Sequence, residues 1–509
     1  MGNKKILKNT LALYGRQVFV VLINLYALRV VFNALGVEGY GIYSAVAGFV
    51  TLLTFLPGSM AAATQRFFSF ALGQQDKEKL NQAFSVNWLL YAAIALVALI
   101  ILESAGLWFV SEHLSIPDEQ AKAAVNLYHM VVFSFVVTIF SSPFIAILIA
   151  HEDIHIYALI SVLEVTLKLV AAILLVYVEG EALELYGSFL LVTAVIITAM
   201  YIVICTKRYA ECQFKKMYWN KALFKEVIGF TGWALFGNMS SVFRNQAVTV
   251  LINQLFNPTT VAARAIAITV ASQALVFAQH LNTSLYSPII KSYAANKKDE
   301  MFSLVVNGSK LTFFLMWVFA LPLLLEMETI LTLWLKTPPP EAVLFTQLAI
   351  VESLILSFSL PLATAARAPG KMKLYELSLG SIQLAIFIVS WLVLKAGYPA
   401  SSVFIVAIIA NLLMFKVRLL IVKKLIDLPL AEYYFKVLIP LMAVIVFSAL
   451  PSIALSNWLM AGFGNSILIV VVSMVVATLS MYFIGLDREW RLKVKQVLSS
   501  RLSKIGGAK

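Results

Sequence analysis

Among the ionisable side chains inside long apolar runs, where an oily surrounding would penalise them, seven stand out. Arg16 and Arg29 lie in the stretch from Leu11 to Leu35, and Glu164 and Lys168 in 155–177. Arg244 lies in 227–256, Arg264 in 262–286 and Glu352 in 343–364. A cation at mid-bilayer costs roughly 2.5–3.5 kcal/mol on insertion scales, so such groups face protein or water and mark binding sites or pathways. Arg16, Arg29, Lys168, Arg244 and Arg264 outnumber Glu164 and Glu352, which leaves a positive balance. Planar guanidinium donors suit anionic groups such as a diphosphate, so the five cations are read as substrate-binding. Gln17, Asn24, Asn245, Gln246 and Asn253 share the same runs and can hydrogen-bond hydroxyls. Glu164 and Lys168, at i and i+4, can neutralise each other. Glu164 and Glu352 are the candidates for ion coupling or charge balance. Arg16, Arg29 and Arg264 can also snorkel toward an interface.

Covalent chemistry has no comparable support. The five histidines are scattered, and Cys205 and Cys212 provide neither a disulfide framework nor metal spacing. No catalytic residue, metal or cofactor is expected.

The elements that must position these groups are membrane helices. Of 509 residues, 61% are hydrophobic and 13% charged, with a mean hydropathy of +0.89. That composition excludes an ordinary soluble domain. Apolar runs of helical length fall near 11–33, 41–62, 84–102, 124–150, 155–177, 184–205, 227–256, 262–286, 303–325, 343–364, 374–394, 401–422, 435–455 and 465–485. The expected fold is an all-α integral membrane protein with fourteen transmembrane helices. Strand alternation is absent.

An even number of spans places both termini on one side, and the charges identify it. The inner segments hold Arg66, Lys77, Lys79, Lys207, Arg208, Lys291, Lys297, Lys298, Arg367, Lys371 and Lys373, among others. The outer segments hold only Lys122, Lys336 and Lys395, with Glu38, Glu103, Glu112, Glu179 and Glu328 among their acids. This positive-inside pattern places both termini in the cytoplasm. It also accounts for the net charge of +13 through topology and contact with anionic membrane lipids, without nucleic acid.

The first span comes back. GRQVFVVLIN at 15–24 matches RNQAVTVLIN at 244–253, with Gln17 on Gln246 and Val21–Asn24 on Val250–Asn253. The likeness continues to the inner turns GQQDKEKL at 73–80 and ANKKDEMF at 295–302. Six spans precede the second copy, so both copies share one orientation. Parallel repeats of this kind form two facing bundles with a substrate space between them. The expected domains are a six-helix bundle over 1–206, an interfacial linker over 207–225 and a second six-helix bundle over 226–422. Two further spans over 423–486 and a basic tail over 487–509 complete the chain.

At the level of whole stretches, LGVEGYGIY at 35–43 and TQRFFSFALGQQD at 64–76 resemble Wzx-type polysaccharide flippases. Their superfamily, the multidrug/oligosaccharidyl-lipid/polysaccharide exporters, also holds the multidrug antiporters and the peptidoglycan lipid flippases. The resemblance implies a MATE-like fold in the bacterial inner membrane. It implies alternating-access flipping of an undecaprenyl-diphosphate-linked oligosaccharide, as in O-antigen and lipopolysaccharide synthesis. The implied partners are a polyprenyl-diphosphate-linked glycan, membrane lipids, and H+ or Na+. The protein would be a monomer associated with glycan-polymerising machinery. Two other readings stay open. A MATE-like drug or small-solute/cation antiporter requires a buried carboxylate, at Glu352 or Glu164. A membrane polysaccharide polymerase or glycosyltransferase would need a large outer loop and an acid cluster, and neither is evident.

Overall fold

In a computed structural model, residues 2–51, 53, 55–113, 118–177, 181–214, 217–335, 337–460, 462–487 and 491–492 are described. Most of the basic tail expected at 487–509, together with Glu179 and Lys336, lies outside them. The protein is an all-α, multi-pass membrane protein with two six-helix bundles plus additional helices. Twelve helices among the described residues are long and apolar enough to cross a bilayer. Of the fourteen expected spans, the second and seventh are helical but less apolar. The second is divided between two helices, and the seventh is diluted by Asn238, Ser240, Ser241, Arg244, Asn245 and Gln246.

One compact unit comprises Met1–Asn238, Thr283–Lys298 and Gly370–Glu376. Its first helix, α1 (Gly2–Thr51), is broken at Gly36, whose φ of 69° and ψ of 177° suit glycine alone. That break separates the first two expected spans. The second then ends early, because α2 (Phe55–Gln74) starts afresh with Pro57 in its first turn. Proline is tolerated there, where its missing N–H would have no helical partner anyway. Next come α3 (Lys77–Ile101) and α4 (Leu107–His113), joined by a π-helical turn, Leu102–Gly106. The 103–113 stretch, with its exposed Trp108, thus continues α3. The Leu102 carbonyl accepts from buried Tyr128 at 2.5 Å. Asp76 caps α3 by accepting from the Lys79 N–H at 3.0 Å.

α5 (Asp118–Ala150), α6 (Ile154–Leu174) and α7 (Ala182–Arg208) complete the first bundle. Its core holds Tyr91, Tyr128, Phe84 and Phe144. The linker after α7 is docked: Phe214 sits edge-on to Trp88 at 5.0 Å, and the Tyr218 N–H donates to Ser85 Oγ at 3.0 Å.

The second unit comprises Met239–Asn282, Asp299–Pro369 and Leu377–Lys509. Three helices are divided between the units: α8 (Lys221–Leu255), α9 (Pro258–Ala294) and α13 (Met372–Lys395); a fourth, the helix that starts at Lys298, has only that first residue in the first unit. α10 (Lys298–Leu325), α11 (Met327–Leu335), α12 (Ala342–Arg367) and α14 (Ser402–Ile426) complete the second bundle. Then α15 (Leu430–Tyr433) runs through a π-turn into α16 (Ile439–Trp458), followed by α17 (Phe463–Ser480). The last two spans are tied to α10. Trp317 Nε1 donates to Ser448 Oγ at 2.9 Å, and buried Lys310 pairs with Asp487 at 2.7 Å. Pro143, Pro288, Pro322 and Pro361 all lie inside helices.

Candidate functional site

The intramembrane charges gather in two cavities, one inside each unit. The first, about 420 Å³, is lined by α1, α5, α6 and α7 and contains Arg16, Glu164 and Lys168. Lys168 Nζ donates to Glu164 Oε1 at 2.6 Å, one helical turn apart on α6. Arg16 reaches across from α1 to Ser161 on the same helix, with Nε 2.6 Å from Oγ. Its guanidinium also stands 5.0 Å from the centroid of the Tyr157 ring. Arg16 thus faces a protein cavity, with Tyr43 and Tyr201 on other walls.

The second cavity, about 350 Å³, is lined by α8, α9, α12, α13 and α14 and contains Arg244, Asn245, Arg264 and Glu352. Arg244 Nη1 donates to Glu352 Oε1 at 2.9 Å, and Nη2 donates to Asn245 Oδ1 at 3.1 Å. The same Glu352 oxygen accepts from Asn411 on α14 at 3.0 Å. Arg264 is buried, and it donates through Nη1 to Thr249 Oγ1 on α8. The Nε–H groups of Arg244 and Arg264 have no hydrogen-bond partner among the described residues.

The two cavities share one logic. Each holds a cation–carboxylate pair and one further arginine held by a hydroxyl: Arg16 on Ser161, and Arg264 on Thr249. Pairing removes most of the cost of carrying the ions into an apolar surrounding, while the extra arginine leaves each cavity with a surplus positive charge. Arg16 and Arg244, near-counterparts in the repeat, occupy the first helix of each copy and open into the cavity of their own unit.

The remaining expected residues are elsewhere. Asn24, Arg29, Gln246 and Asn253 are exposed and line neither cavity, and Gln17 lines neither. Sequence reasoning missed Ser161, Thr249 and Asn411. Asn411 had a visible signal, being the one amide in the apolar run 401–422. The two hydroxyl residues had none, since serine and threonine bond their own helix so often.

No protein-family model matches the chain, and no curated protein sequence does. Solved structures do match in fold. A MATE crystal structure in the bent conformation has a TM-score of 0.70 at 14% identity, covering 83% of this chain and 96% of its own. An outward-facing multidrug resistance MATE family transporter of the MOP superfamily gives 0.69 at 15% identity, over 83% and 96%. A MOP superfamily transporter from Pyrococcus furiosus gives 0.64 at 15% identity, again over 83% and 96%. For that protein, reverse polarity of the binding pocket suggests a different function.

These likenesses correct the flippase reading. The fold goes with MATE multidrug transporters, so the Wzx-type assignment is withdrawn. With it go the undecaprenyl-diphosphate-linked oligosaccharide, the O-antigen and lipopolysaccharide roles, the polyprenyl-diphosphate-linked glycan partner and the glycan-polymerising machinery. There is a physical reason as well. Of the five cations expected to bind substrate, Lys168 and Arg244 are engaged by Glu164 and Glu352 and Arg29 lines neither cavity, so each cavity keeps a single surplus arginine rather than a cluster of cations. The 64–76 stretch that carried the resemblance holds the fold together instead. Thr64 bonds Asn87 in the core, Arg66 pairs with Glu226, and Asp76 caps α3.

Proposed function

We propose that this chain is a MATE-type antiporter of the bacterial inner membrane, exporting a drug or other small solute in exchange for H+ or Na+. One observation carries the reading: the two intramembrane carboxylates, Glu164 and Glu352, each stand inside a cavity and each hold a cation of the protein. A carboxylate in that position is an exchange group. When H+ or Na+ takes the carboxylate, Lys168 or Arg244 is released, and the charge of the cavity changes before any solute arrives. Glu352 is the main coupling residue, because Arg244 and Asn411 converge on one of its oxygens. Arg16 and Arg264 set the standing charge, and Asn245 and Tyr157 shape the polar walls. Apart from reversible protonation of a carboxylate, none of these steps makes or breaks a covalent bond, which fits transport rather than catalysis.

The test is ion flux driven by solute in proteoliposomes. Norfloxacin or ethidium added to vesicles holding an imposed pH or sodium gradient dissipates that gradient when the protein is present. Loss of the effect in Glu352→Gln supports the assignment. Absence of any solute-dependent flux of either ion in the unaltered protein refutes it.

A further inference from the structure

A third cavity lies in the first unit, away from the intramembrane charges. It holds about 530 Å³, more than either cavity described above. Its walls come from the end of α2, the start of α3, the turn after α5 and the linker after α7. It shares no lining residue with the other two. The basic turn at 73–80 and the basic linker place it on the inner side. The linker wall is pinned: the Tyr218 N–H donates to Ser85 Oγ at 3.0 Å, and Asn220 Nδ2 donates to Gln82 Oε1 at 2.8 Å.

The Glu211 carboxylate gives this space its chemistry. Glu211 is buried, and His151 Nε2 stands 2.6 Å from its Oε1. The imidazole is held from behind. Its ring stacks on Tyr209 at 4.3 Å between centroids, and the Tyr209 hydroxyl donates to Asp153 at 2.8 Å. An imidazole in its neutral form gives a carboxylate a hydrogen bond and leaves its charge in place. A charge withdrawn from water calls for a partner of opposite sign. Two other charged residues line the cavity. Asp76 caps α3 and pairs with Lys79, and Lys77 is exposed, where water screens it. Glu211 is therefore the charge that a ligand meets. Around it, Leu72, Leu80 and Tyr218 offer apolar surface, and the amides of Gln75, Asn81 and Gln213 can accept from an N–H donor. Small-molecule sites combine mainly apolar walls with a few polar groups in this way.

We infer that this cavity is an inner-face binding site for a small organic cation, an ammonium joined to an aromatic or aliphatic body, with Glu211 as its counter-charge. It is separate from the two intramembrane cavities, whose surplus arginines disfavour such a cation. The inference goes beyond the antiporter reading and does not depend on it, since its test involves no ion gradient and no flux.

The test uses the full-length protein carrying Cys205→Ala and Cys212→Ala, with Leu72→Cys as a reporter on the cavity wall. Inside-out vesicles present the inner face to a membrane-impermeant thiol reagent. Three probes share one ring and differ in head group: tyramine is a cation, tyrosol is neutral and 4-hydroxyphenylacetate is an anion. Tyramine slows modification of the reporter by about tenfold once it stands roughly ten times above its Kd, and the other two leave the rate unchanged. Glu211→Gln, which keeps an acceptor for His151 but carries no charge, removes the protection. Asn81→Phe fills the cavity and removes it too, and decides the matter should Glu211→Gln fail to fold. Three results overturn the site: no slowing by millimolar tyramine, equal slowing by tyrosol, or full protection by tyramine in either folded variant.

Discussion

Arg244 on α8 and Glu352 on α12 meet at 2.9 Å with their side chains 12% and 13% exposed, so neither charge is balanced by bulk water. Removing one member leaves the other buried and alone. Arg244→Ala or Glu352→Ala is therefore expected to lower stability by about 3–5 kcal/mol. The Arg244→Met/Glu352→Met double variant recovers most of that loss while ion exchange stays absent. Thermal unfolding in detergent measures the first effect and proteoliposome flux the second. A double variant as unstable as either single one would contradict the pairing.

The surplus cations make a prediction about solute charge. Arg16 and Arg264 each add a positive charge beside an already balanced pair. A permanent cation such as ethidium meets that charge unfavourably, whereas zwitterionic norfloxacin brings a carboxylate. Norfloxacin should drive faster flux than ethidium, and Arg16→Gln or Arg264→Gln should narrow the ratio. An unchanged ratio in both variants would remove the arginines from selectivity.

Gly36 sets the break in α1. Its φ of 69° with an extended ψ is a conformation that other residues adopt only under strain, typically about 1–3 kcal/mol. Gly36→Ala should lower the unfolding temperature, and Gly15→Ala, where an added Cβ meets nothing within 4 Å, should not. Equal effects would argue against the break.

Gly485 ends the π-turn Met481–Gly485 against Phe314, and a Cβ there would fall 2.3 Å from the ring. Gly485→Ala should cost about 1–3 kcal/mol through overpacking. Gly485→Ala/Phe314→Leu should regain part of it, again by thermal unfolding. No rescue would show that the contact is not the cause.

The positions of most helices were legible in the sequence because hydrophobic length and basic inner turns are set by the bilayer itself. The break at Gly36 and the fresh start at Phe55 were not, since Pro57 in an apolar run reads equally as a kink or as a first turn. The charges were found, but their partners were not fully visible. Glu164 and Lys168 could be paired from spacing alone. Arg244 and Glu352 are separated by 108 residues and meet only through folding. That missing long-range pair is what made the cations look free and the substrate look like a large anion. Exposed Arg29 and Asn24 show the other limit: a polar residue in a span does not announce which side of the helix faces protein.

Counterflow tests the central claim most directly. Proteoliposomes are loaded with norfloxacin and diluted into solute-free buffer, with no ion gradient imposed. The account predicts that solute efflux draws H+ or Na+ inward and builds a gradient of opposite direction. It predicts that Glu352→Gln builds none. Efflux that moves neither ion, or an equal gradient in Glu352→Gln, would contradict it.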